Sequence, residues 1–111
     1  MAEIHAGPRA GLDPRLANEI VARILTVARP EAILLFGSRA RGDAEPRSDI
    51  DLAVAASALT RTEWLRVVDA LEETETLLPI QAVLLGAAPP ALRERILREG
   101  VVLYAEHQAR R

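Results

Sequence analysis

Two aspartates one residue apart, Asp49 and Asp51, follow a Gly-Ser pair, Gly37 and Ser38, with ten residues between Ser38 and Asp49. On a strand successive side chains alternate, so both carboxylates fall on one face with Cα atoms about 6.5 Å apart. Carboxylates held that close repel. A hard cation with oxygen ligands relieves the repulsion, and Mg²⁺ shared between the aspartates and the phosphates of a nucleotide is the simplest such group. Gly37 and Ser38 end an apolar run, where glycine lets the backbone approach a ligand and the following amides can meet a phosphate. Arg39 and Arg41 add planar donors that match phosphate oxygens. The reaction suited to these groups is in-line nucleotidyl transfer, in which a hydroxyl attacks phosphorus and pyrophosphate leaves.

The surrounding pattern supplies elements to hold these residues. Asp13 and Pro14 read as the cap and first position of a helix, and Leu16, Ile20, Ile24 and Val27 continue it to about Arg29, before Pro30. Ala32 to Phe36 is a five-residue apolar run stopped by Gly37, short enough for a buried strand. Gly37 to Ser48 reads as a turn, a short helix and a loop. Asp49 to Val54 is a strand with one end toward water or ions. Thr60 and Glu63 form a capping box for a helix through Leu65, Val68 and Leu71 to about Leu78. A third strand is expected over Ile80 to Leu85. Pro89-Pro90 opens a last helix stopped at Gly100, and Val101 to Tyr104 is a short final strand. The order predicts an α+β fold with α/β-type layering: a small mixed sheet of three to four strands with helices mainly on one face.

Composition narrows the chemistry. The 111 residues suit a single domain, 1–111, with an ordered core of about 12–105 and a loose first ten residues. All 14 cationic side chains are arginine, which excludes a lysine Schiff base, a phosphate-loop lysine or a lysine base. The absence of cysteine removes thiol nucleophiles, disulfides and cysteine zinc sites, and suits a cytoplasmic protein. A net charge of −2 argues against stable nucleic-acid binding through bulk positive charge. No stretch of about 18 uncharged apolar residues is present, so no membrane span is expected. His5 and His107 fall near the termini with no triad context, so Ser38 is not read as a nucleophile.

The run Gly37-Ser38-Arg39-Ala40-Arg41-Gly42-Asp43-Ala44-Glu45-Pro46-Arg47-Ser48-Asp49-Ile50-Asp51 resembles the signature of the polymerase-beta nucleotidyltransferase superfamily, a Gly-Ser pair, ten residues and Asp-x-Asp. A chance match in a chain of this length is on the order of one in a thousand at average composition. With its small size and its ending, from Ala88-Pro89-Pro90 through Ile96 to Tyr104, the chain resembles the minimal nucleotidyltransferases (MNT), small prokaryotic proteins often paired with a helical HEPN protein in toxin–antitoxin modules. The similarity runs from about Leu12 to Tyr104. It implies a polymerase-beta-like core in which Gly37 and Ser38 hold the triphosphate while Asp49 and Asp51 bind Mg²⁺; Arg39 and Arg41 are nucleotide-binding candidates from the residues themselves. It further implies transfer of a nucleoside monophosphate, AMP from ATP, to a hydroxyl of a HEPN-type toxin, with this chain as the antitoxin. A homo-oligomer is left open.

One position departs from the family pattern. The third carboxylate expected on the next core strand, after Pro79-Ile80, is replaced by Gln81, which cannot accept a proton at neutral pH or supply negative charge. No Asp or Glu lies between Glu75 and Glu94. Glu72, Glu73 and Glu75 read as a solvated face. The alternative function is therefore a catalytically weakened nucleotide-binding module that neutralises its partner by stoichiometric contact. Among the remaining residues, Arg47 reads as a loop charge and Ser48 as the fixing point of the turn before the strand. Trp64 and Tyr104 read as packing residues.

Overall fold

The structure is a computed structural model and describes residues 11–106, so the expected loose first ten residues, His5 and His107 lie outside the described residues. Helix α1 spans Pro14–Val27, strand β1 Ala32–Phe36, the short helix α2 Ser38–Arg41, strand β2 Ile50–Ala55 and helix α3 Arg61–Glu72. Strand β3 covers Ile80–Leu84, a 3₁₀ turn Leu85–Ala87, helix α4 Pro90–Glu99 and strand β4 Val101–Ala105. The four strands form one mixed sheet in the order β3-β2-β1-β4, with β1 antiparallel to β2 and β4, and β2 parallel to β3. Mixed sheet and helices give the α+β architecture that the sequence order implies.

Strand alternation divides the core between two layers. Ile33 and Leu35 of β1, with Ile50, Leu52 and Val54 of β2, meet Ile20, Ile24, Val67 and Leu71 on the face covered by α1 and α3. Leu34, Phe36 and Ala53 point the other way and are covered by Ile96 of α4, with Leu92 beside it. The two longer helices therefore share one face. The shorter α4 occupies the face that also carries the odd-numbered residues of β2, among them Asp51.

Element ends follow local chemistry. The Asp13 side chain accepts the Arg15 amide at 2.9 Å, and Pro14 stands at the first helical position where no amide is needed. Helix α1 ends at Val27 rather than near Arg29, because the chain is already extended at Ala28 ahead of Pro30. The capping box is present: Thr60 Oγ1 accepts from the Glu63 amide at 3.1 Å and Glu63 Oε1 from the Thr60 amide at 2.9 Å.

Helix α3 ends at Glu72, six residues short of the expected Leu78. Local acceptors draw its amides away: Thr76 Oγ1 takes the Leu78 amide at 3.1 Å, and Glu19 Oε2 of α1 takes the Glu75 amide at 3.0 Å. Gly100 does follow α4, yet its φ of −66° is ordinary. Space is the reason for glycine there, since a Cβ would lie 2.6 Å from the Ile96 carbonyl oxygen and 3.0 Å from Leu34 Cδ2.

Candidate functional site

β1 leaves the sheet at the same end where β2 and β3 enter it, and the residues of interest gather there. Register places Phe36 opposite Asp51 and Asp51 beside Gln81, so one row across β1, β2 and β3 reads Phe36, Asp51, Gln81 on the α4 face. Asp49 lies immediately before β2, which begins at Ile50 rather than at Asp49. Its carboxylate is exposed, whereas that of Asp51 is partly withdrawn from solvent.

Gly37 makes the turn out of β1 with φ +78° and ψ −157°, a region that side-chain-bearing residues avoid. The turn brings the backbone directly against Asp51: a Cβ built on Gly37 would collide with Asp51 Oδ2. Glycine is thus required twice here, for conformation and for closeness. Ser38 follows as the first residue of α2. Gly37, Ser38, Asp49 and Asp51, separated in sequence, are brought together at one sheet end.

Burial pushes the Asp51 carboxyl above the ordinary carboxylate range, the Asp49 charge pushes it the same way, and Arg95 and Arg41 pull it back. This is the balance of an anionic site short of positive charge. A divalent cation would suit it: two oxygen-donor carboxylates share a location, and a neutral amide oxygen on Gln81 is next in the row. Among the described residues no group of three His, Asp or Glu side chains could hold a metal ion. The register position next to Asp51 is held by the neutral Gln81. Nor do the two glutamates that follow α3 supply a third carboxylate. Glu73 lies 3.9 Å from Arg23, and Glu75 is tied through its amide to Glu19, both on the α1 and α3 side of the sheet.

The two arginines of the motif have different surroundings. Arg39 is 6% exposed, and its guanidinium is turned inward onto backbone carbonyls. Nε and Nη2 donate to the Ser48 carbonyl at 3.1 and 2.9 Å, Nη2 also donates to Pro46 at 3.0 Å, and Nη1 donates to Gly11. Arg39 is therefore a clamp for the loop leading to Asp49, not a donor presented to the cleft. Ser48 fixes the same loop, its Oγ accepting the Glu45 amide at 2.9 Å.

Arg41 remains at the surface, with Nε donating to Asp43 Oδ2 at 3.2 Å and Nη1 to Glu99 Oε1 at 3.3 Å. Sequence reasoning missed Arg95 and Glu99 of α4, whose only local signal is their i, i+4 spacing. They reach the site because α4 covers the face of Asp51. The site itself is an open end of the sheet. A cavity of about 420 Å³ between α3 and β3 is lined by Gln81 but by neither aspartate.

The sequence matches the family described as Polymerase beta, Nucleotidyltransferase over residues 18–109, and the chain belongs to that family. No curated protein matches it. Solved structures give closer relations. A chain from a toxin–antitoxin complex with AMP-PNP superposes with a TM-score of 0.63 at 27% identity, covering 84% of this chain and 76% of that one. A protein described as a minimal nucleotidyltransferase gives 0.61 at 29%, covering 77% of this chain and 86% of that one. A complex of a tri-AMPylated Shewanella oneidensis HEPN toxin with its MNT antitoxin shares the fold, with a TM-score of 0.58 at 24% identity and coverage of 86% and 75%. The fold is that of a polymerase-beta-like nucleotidyltransferase, and its structural neighbours are antitoxins and minimal nucleotidyltransferases.

Proposed function

We propose that this chain is a minimal nucleotidyltransferase that moves AMP from ATP to a hydroxyl of a HEPN-type toxin and acts as that toxin's antitoxin. The observation that carries the reading is the packing of the Gly37 turn against Asp51, with Asp49 beside it, in a chain of the nucleotidyltransferase family. Gly37 and Ser38 would hold the triphosphate, and Arg41 would face its outer oxygens. Arg39 would serve the same site through the loop it clamps. Asp49 and Asp51 would hold Mg²⁺, which supplies charge neutralisation on the phosphates and activation of the acceptor hydroxyl. In the transfer the acceptor oxygen would bond to the α-phosphorus and give up its proton to solvent, while the bond from that phosphorus to the bridging oxygen breaks and pyrophosphate leaves.

The neighbours support the partner and the nucleotide by analogy: one is a toxin–antitoxin complex with AMP-PNP, and another holds an AMPylated toxin. Among the described residues no helix is long and apolar enough to cross a membrane. Gln81 favours a second reading, since β3 offers no carboxylate to take the acceptor's proton. In that case the chain binds nucleotide and neutralises its partner by contact alone.

Incubation with α-labelled ATP, Mg²⁺ and the HEPN-type partner separates the two. Label on the partner that disappears in Asp49→Asn and Asp51→Asn supports transfer. A stable complex, with no label and unaffected by those substitutions, supports the contact reading and contradicts transfer.

A further inference from the structure

Three ionic side chains next to Asp51 belong to no expected motif as a set. Glu99 Oε1 lies 3.3 Å from Arg41 Nη1 and 3.5 Å from Arg95 Nε, so one carboxylate oxygen bridges two guanidinium groups from different parts of the chain. Arg41 comes from α2, directly after the Gly37 turn, and Arg95 and Glu99 from one face of α4. The Glu99 side chain is 19% exposed, more withdrawn than either arginine, at 40% and 46%. The acid is thus the most withdrawn member of the bridge, and Arg41 also donates to Asp43 Oδ2 at 3.2 Å. Both arginines also act on the Asp51 carboxylate.

A single oxyanion between two guanidinium forks is also the arrangement in which a phosphate oxygen is bound. With no lysine in the chain, arginine is the only permanent side-chain cation available for that purpose. We propose that Arg95, paired with Arg41 across Glu99, is a phosphate-binding residue of the site, and that Glu99 stands as the internal anion which an incoming polyphosphate displaces or joins. This rests on the nucleotide reading above and adds a ligand-contacting residue from α4, outside the Gly-Ser and Asp-x-Asp motif. The arrangement also gives α4 a reason to close over this end of the sheet: it carries the second cation to the phosphates.

Calorimetric titration of the full chain with Mg-ATP, and separately with inorganic tripolyphosphate, tests the assignment. Arg95→Gln is expected to weaken both by about tenfold, which corresponds to about 1.4 kcal/mol. Arg98→Gln changes net charge equally on the same helix and is expected to shift either by less than about twofold. Arg95→Lys should recover only part of the loss, because it keeps charge without the planar fork. Glu99→Gln should bind tripolyphosphate more tightly, whereas a purely structural Glu99 would leave binding unchanged or weaker. Equal effects of Arg95→Gln and Arg98→Gln would overturn the proposal while leaving the nucleotide reading intact. Arg95-dependent binding of tripolyphosphate without binding of Mg-ATP would keep the arginine pair and reject the nucleotide. Binding of neither by the unsubstituted chain would reject both.

Discussion

Asp51 sits where its charge is costly: burial and Asp49 both disfavour its ionised form, and its carboxylate occupies the space that a side chain at Gly37 would need. Substituting Gly37→Ala should therefore act in two ways. The positive φ alone costs about 1–3 kcal/mol in a residue with a side chain. The added methyl also displaces the carboxylate that would hold the cation. Urea denaturation should show the stability loss, and Mg²⁺ titration a parallel loss of affinity. Restoring space with Asp51→Ala in the same chain should recover part of the stability and none of the affinity. At Gln81 the sign reverses. Gln81→Glu places a third carboxylate in register with Asp51, so Mg²⁺ affinity should rise by about tenfold, or about 1.4 kcal/mol. An unchanged calorimetric isotherm would place that side chain outside the site.

Among the elements, the loop from Gly42 to Asp49 is held by the Ser48 hydroxyl and, more extensively, by the Arg39 guanidinium. Arg39 satisfies carbonyls of Gly11, Pro46 and Ser48 from a buried position, so Arg39→Ala leaves several acceptors without a donor and should cost about 3 kcal/mol. Arg39→Lys should not restore it, because one ammonium cannot span the three carbonyls in the fork geometry. Thermal melting of both variants checks this, and a midpoint equal to that of the unsubstituted chain would contradict the clamp.

The same residue shows how far the elements could be read from sequence. The strand at Ala32, the second strand to within one residue of its start, the Thr60–Glu63 box and the proline-led starts of α1 and α4 were legible because periodicity and capping are local. The placement of Gln81 was legible too, since Pro79 and Ile80 fix where β3 starts. What decides Arg39 against Arg41 is tertiary: alternation in a short helix turns one guanidinium onto a distant carbonyl at Gly11 and leaves the other beside α4. The end of α3 was hidden for the same reason, because the acceptor for the Glu75 amide is Glu19, on another helix. Arg95 was invisible until α4 was seen to cover the face of Asp51 rather than the face of α1 and α3.

At the scale of the whole molecule, one mixed sheet carries a core on each face, and the site lies at one end of the sheet on the α4 side. The α1 and α3 layer buries Ile50, Leu52 and Val54 of the strand whose opposite face presents Asp51. The α4 layer closes over that opposite face with Ile96 and brings Arg95 and Glu99 to its edge. Fold and family define a nucleotidyltransferase core. In the proposed function the Gly37 turn and the two aspartates bind a nucleoside triphosphate through a divalent ion. Isothermal titration of ATP into the chain, in Mg²⁺ and then in excess chelator, tests it most directly. Saturable binding that weakens at least about tenfold on chelation, and equally in Asp49→Asn/Asp51→Asn, is the expected result. Binding indifferent to both the chelator and the substitutions, or no binding in Mg²⁺, would contradict it.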